Sequence, residues 1–140
     1  MLRILMALVA GIGVGVGGMA WAHQEKDRVK TLASRDISEK IDGHEAKATV
    51  VEVTLDPGQA GAPHRHPGPV FGYVIEGEYE WAIDEQPAKV LKQGETFYEP
   101  TRCLHRVSRN PANKGKTRVL AVVLHARDDK QIAIPEKYAK

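Results

Sequence analysis

Three histidines in two matching blocks carry the chemistry most readily read from this chain. The first block runs from Gly58 to His64 and His66, the second from Gly94 through Pro100 to His105. His64 and His66 are two residues apart, so on an extended strand both imidazoles point to the same side. That spacing suits two ligands of one ion. A third imidazole from another strand, His105, would complete a facial set and leave coordination positions open for water, oxygen or substrate.

These ligands need a scaffold that holds them from separate strands, and the chain supplies short strand signals at regular spacing. Ala48 to Leu55 is rich in β-branched residues and runs into an Asp56, Pro57, Gly58 turn. Val70 to Glu76 and Glu78 to Asp84 flank Gly77 and predict a hairpin. Ala88 to Leu91, Glu95 to Glu99, Leu104 to Ser108 and Thr117 to His125 are further short strands between Gly-, Pro- and Asn-containing turns. Such a series implies an all-β sandwich or barrel. Residues 23–45 are polar and broken, with weak helical or extended character, and are expected to form an arm packed on the domain of residues 46–140.

The 140 residues fit one modest domain after a leader. Arg3, the apolar run Ile4 to Met19 and the small-x-small Ala20, Trp21, Ala22 predict a secretory signal peptide over residues 1–22, cleaved after Ala22. The exported chain is then periplasmic or secreted and keeps no stable membrane span. An uncleaved anchor is the rival, since the apolar run lies near the lower limit for a span. With 20 basic and 18 acidic residues in the full chain, the charge is near neutral and scattered, which excludes a nucleic-acid partner. No phosphate-cradling Gly-rich loop precedes a helix, and no Gly-x-Ser-x-Gly occurs. Cys103 is the single cysteine and cannot form an internal disulfide.

The two blocks resemble the paired motifs of the cupin superfamily, small antiparallel jelly-roll barrels that hold a metal in the barrel mouth. The likeness covers roughly Val50 to Leu124. Gly58, His64, His66 and Gly77 match the first motif in register, but its glutamate position holds Val70. Gly94, Pro100 and His105 match the second; its glycine is Arg102, and its asparagine is displaced to Asn110. The resemblance implies that His64, His66 and His105 are the metal ligands and that the cofactor is one divalent transition metal. Iron is preferred, with manganese, nickel, copper or zinc compatible. Val70 cannot coordinate, so the ion would keep its full charge and favour neutral or anionic bidentate substrates. By analogy with three-histidine cupins, the expected activity is that of a metal-dependent dioxygenase or oxidoreductase on a small organic substrate, the alternative a non-catalytic binding module. Pairing into a homodimer is also expected.

Other residues complete the inventory. Tyr98 is the candidate catalytic phenol, as substrate contact or acid, and Tyr79, Trp81 and Phe97 are candidates for a pocket or the core. Alternation places Gly72 and Val74 inside the barrel and Phe71 and Tyr73 outside. Glu76, Glu78 and Glu99 are expected to be solvated. Cys103 is read as either a soft ligand or a small buried apolar residue. His23 can chelate copper if it becomes the amino terminus, but it is read as a coincidental cleavage-site residue. His44 and His125 are expected at the surface, and Arg65 facing outward.

Overall fold

The computed structural model describes residues 28–136. The leader expected over residues 1–22 lies outside them. No helix among the described residues is long and apolar enough to cross a membrane. Ten strands follow in order: β1 Val29–Ile41, β2 His44–Leu55, β3 His64–Arg65, β4 Val70–Glu76, β5 Glu78–Ile83, β6 Lys89–Lys92, β7 Thr96–Glu99, β8 Leu104–Arg109, β9 Thr117–Ala126 and β10 Ile134–Pro135. They form two five-stranded sheets, β1-β2-β9-β4-β7 and β10-β3-β8-β5-β6, with every named pairing antiparallel. This is the all-β, jelly-roll arrangement expected.

Alternation explains which side chains face inward. Along β9, every second residue from Thr117 to His125 is buried, and on β4 Val70, Gly72 and Val74 point in while Phe71 and Tyr73 point out. Val51, Leu55, Val70, Val74, Val119 and Val123 from the first sheet meet Tyr79, Trp81 and Ile83 from the second in one apolar cluster. Each fully buried aliphatic side chain there contributes roughly 1.5–3 kcal/mol. Phe97 ties the layers together, its ring centroid 5.5 Å from that of Tyr79 and 5.7 Å from that of Trp81. Gly72 stands opposite Phe97, and a Cβ there would meet the Phe97 ring at 1.9 Å. Only a glycine lets that ring lie across β4.

Two local expectations change. β4 and β5 do not pair with each other: β4 lies between β9 and β7, and β5 between β8 and β6. A single residue is too short to close an antiparallel hairpin, whose tightest common loops need two. Gly77 is instead the corner at which the chain passes between sheets. Its φ is +77°, and a Cβ would meet the Lys116 carbonyl oxygen at 2.4 Å.

Residues 29–41 of the expected arm are the edge strand β1, hydrogen-bonded along β2, and the boundary drawn at residue 46 falls within β2. Asp42 and Gly43, both with positive φ, close that hairpin between Ile41 and His44.

Candidate metal centre

His64 sits in the two-residue strand β3 and pairs directly across from His105 on β8. His66 lies just past β3, where its carbonyl accepts the Arg102 N–H at 3.0 Å. The ladder and this short extension bring the three rings together, with centroids of His64 at 4.7 Å from His66 and 4.9 Å from His105. One nitrogen from each ring lies within 4.8 Å of the others.

The rings are also prepared as ligands. His64 Nδ1 lies 2.9 Å from the Ala62 carbonyl, and His66 Nδ1 bonds the Ile132 carbonyl. A carbonyl accepts only, so each Nδ1 carries the proton and each Nε2 keeps its lone pair. Those two Nε2 atoms face each other at 3.1 Å. Two lone pairs at that distance repel unless an electropositive group lies between them. Burial, reinforced by the neighbouring His64, holds His66 at about 4 and His105 at about 3, both well below the usual imidazole range. Neutral imidazole is the form that binds a metal.

Beside them stands a residue expected in solvent. Glu99, at the end of β7, is only 1% exposed. Alternation with Phe97 turns it inward, and the ladder pairs it with Val70. Trp81 Nε1 donates to Glu99 Oε1 at 3.0 Å. Glu99 Oε1 is 3.1 Å from His105 Nδ1, and Oε2 is 3.5 Å from His66 Nε2. Burial pushes the carboxyl up to about 7, against the lowering effect of the Trp81 N–H. Glu99 Oε2 and His105 Nδ1 are both buried without a hydrogen-bond partner. Unsatisfied buried polar atoms cost about 1–3 kcal/mol each, and a cation would satisfy both. The three histidines therefore fit a divalent metal, with the Glu99 carboxylate beside them.

The cluster opens on a cavity of about 300 Å³, walled by Val51, Leu55, Phe97, Val119 and Val123. Tyr79 is the phenol on its lining: its hydroxyl donates to Ser108 Oγ at 2.8 Å and lies 3.3 Å from His105 Nε2. Burial raises its pKa and keeps it protonated. Tyr98 is not brought to the cluster. It is 49% exposed on the opposite face of β7, its ring 5.2 Å from that of Phe71.

Cys103 is buried in the core cluster, and burial pushes its thiol up to about 11, so it packs as a small apolar side chain outside the three-histidine set. His125 is buried rather than superficial, bonded to Thr49 Oγ1 at 2.9 Å and to the Ala126 carbonyl at 2.8 Å. His44 is exposed, as expected. Arg65 faces away from the cluster to pair with Glu136 at 2.9 Å. Glu76 and Glu78 are exposed, as expected. The signal for Glu99 was present in the strand Thr96 to Glu99: Phe97 inward requires Glu99 inward.

Comparison with known proteins agrees with this architecture. No curated protein matches the chain. Among solved structures, a protein with a double-stranded β-helix domain from Klebsiella pneumoniae is 23% identical, with a TM-score of 0.58 over 79% of this chain and 84% of its own. A cupin-like protein from Thermotoga maritima is 19% identical, with a TM-score of 0.52 over 76% of this chain and 73% of its own. The DMSP lyase DddQ from Ruegeria pomeroyi is 20% identical, with a TM-score of 0.52 over 90% of this chain but only 58% of its own. At these identities the likeness is one of fold. The model of the Cupin domain family matches residues 51–123, more than half of the sequence and the stretch that contains all three histidines. With the two-sheet fold and the histidine cluster on the wall of its cavity, this match shows that the chain belongs to the cupin family.

Proposed function

We propose that this cupin is a metal-dependent oxidoreductase of the dioxygenase type, acting on a small organic substrate. The observation that carries the reading is the convergence of His64, His66 and His105 on the wall of an apolar cavity of about 300 Å³. A bound divalent transition metal supplies Lewis-acid polarisation and, if it is iron or copper, access to dioxygen chemistry. The chain's own residues do the rest. The carbonyls of Ala62 and Ile132 fix the tautomers of His64 and His66. The aliphatic walls exclude water and take the apolar part of a substrate. Tyr79, held by Ser108, offers its phenol oxygen to His105.

Support for the alternative, a small-ligand binding module, comes from the same cavity. The Tyr79 proton is already committed to Ser108, so this phenol is not poised as an acid. Elemental analysis of protein purified without chelators or a histidine tag, beside His66→Ala, tests the metal reading. Near-stoichiometric metal lost in the variant, with oxygen uptake in a screen of thiols, diketones and flavonols, is the expected result. Tight ligand binding without oxygen uptake would select the binding module, and absence of metal from the native protein would overturn the oxidoreductase reading in favour of that module.

The proposal includes export after cleavage at Ala22 and pairing of two copies through strand edges, for which the long edge strand β1 offers unpaired backbone groups. Amino-terminal sequencing of the protein from its own cells should read His23 first, and sedimentation should report a dimer.

A further inference from the structure

We infer that Glu99 is the fourth protein ligand of this centre, taking over from the neighbouring strand the carboxylate that the first cupin motif lacks at Val70. The inference rests on the three-histidine reading above and deepens it. Val70 and Glu99 are direct partners in the β4–β7 ladder. Paired residues on adjacent antiparallel strands have Cβ atoms about 4.5–5.5 Å apart on the same face. A carboxylate on either one can therefore be directed into the same region of the barrel. Val70 is 1% exposed and lines the cavity that Glu99 also lines. The carboxylate has moved across one ladder rung, and an aliphatic side chain fills its former place.

The surroundings of Glu99 distinguish a ligand from a buried structural acid. Its two oxygens are treated differently: Oε1 accepts the Trp81 N–H, which fixes the rotamer, and Oε2 is buried with no partner, 3.5 Å from His66 Nε2. A structural carboxylate in an apolar core would have both oxygens hydrogen-bonded. Three neutral imidazoles would leave a divalent ion with its full charge in an apolar cavity, where desolvation is costly. One carboxylate halves that charge. The consequence reverses the expectation drawn from Val70: the loaded centre carries a single net positive charge.

The test uses Mn²⁺ alone as probe and compares the full mature protein with three variants. Glu99→Gln keeps the shape and the acceptor for Trp81 but removes the negative charge; His64→Ala removes an imidazole; Glu99→Val combined with Val70→Glu returns the carboxylate to the motif position. Mn²⁺ affinity is measured by the electron paramagnetic resonance signal of the free ion. The expected result is weakening by more than about a hundredfold in Glu99→Gln, beyond what loss of an outer-shell partner costs, at least partial recovery in the swapped variant, and loss of binding in His64→Ala. If Glu99→Gln binds within about threefold of the parent while His64→Ala does not bind, the inference on Glu99 fails and the three-histidine reading stands. If neither substitution changes binding, the three-histidine reading itself fails. Should Glu99→Gln not fold, an infrared difference spectrum of the parent with and without Mn²⁺ decides: a shifted carboxylate band that persists in Glu76→Gln supports the inference, and the absence of any carboxylate shift overturns it.

Discussion

His64 and His66 each give their Nδ1 proton to a main-chain carbonyl, which leaves the two Nε2 lone pairs facing one another. Truncating either ring removes a donor from the set, so His66→Ala should lose most of the bound metal, read by elemental analysis against the parent protein. Tyr98 and Tyr79 make a paired test of position. Tyr98→Phe should leave metal content and thermal stability unchanged, because its hydroxyl lies on the outer face of β7. Tyr79→Phe removes a buried hydroxyl and leaves Ser108 Oγ without its donor, which should lower stability by about 1 kcal/mol in denaturant unfolding. Equal effects from the two would contradict the placement of the rings. Cys103, buried and with its thiol pushed up to about 11, should alkylate slowly in the native protein at pH 8 and rapidly once unfolded.

The β4–β7 ladder is the element on which the site depends. It sets Gly72 under Phe97 and Val70 beside Glu99, so one register places both the ring that joins the sheets and the carboxylate beside the histidines. Gly72→Ala should force the Phe97 ring aside and destabilise by about 1–3 kcal/mol, lowering the melting temperature. An unchanged melting temperature would mean that the ring does not pack across β4. The strand signals from residue 48 onward lie close to the observed elements because β-branched runs and Gly or Pro breaks are local properties. β1 was harder to read. Its exposed positions, on both faces, include Lys30, Arg35, Asp36, Glu39 and Lys40, which suit an edge strand and dilute any apolar alternation. Asp42-Gly43 was nonetheless a legible hairpin signal. Gly77 misled because a glycine between two strands reads alike whether the chain folds back or crosses to the other sheet.

For the whole molecule, the buried ionisable groups set how stability varies with pH. The folded chain holds His66 at about 4 and His105 at about 3, against 6.5 in the ordinary state. Below pH 6.5 the unfolded chain takes up protons that these rings refuse, so their contribution is lost as pH falls toward 4. Glu99 acts in the opposite sense. Raised from 4.5 to about 7, it contributes stability below 4.5 that is lost as pH rises through 7. Between pH 4.5 and 6.5 two imidazoles outweigh one carboxyl, and the metal-free protein should lose about 1.4 kcal/mol per pH unit on acidification. Urea midpoints measured at several pH values after chelation check this sign. Metal added back at a hundred times its dissociation constant should raise stability by about 2.7 kcal/mol at neutral pH, and the gain should shrink on acidification as protons compete for the imidazoles.

The amino-acid sequence by itself determined the β class, the run of short strands and the three histidines, because alternation, turn chemistry and motif spacing are written within a few residues of each other. It did not determine which strands are neighbours. Only the tertiary structure placed β7 against β4, so only there does Glu99 become the residue beside Val70 and its carboxylate meet His66 and His105. The same packing chose Tyr79 over Tyr98 and buried His125. Burial and cross-strand partnership arise between segments distant in the chain, and the polarity of a single residue does not reveal the environment in which the other sheet will enclose it.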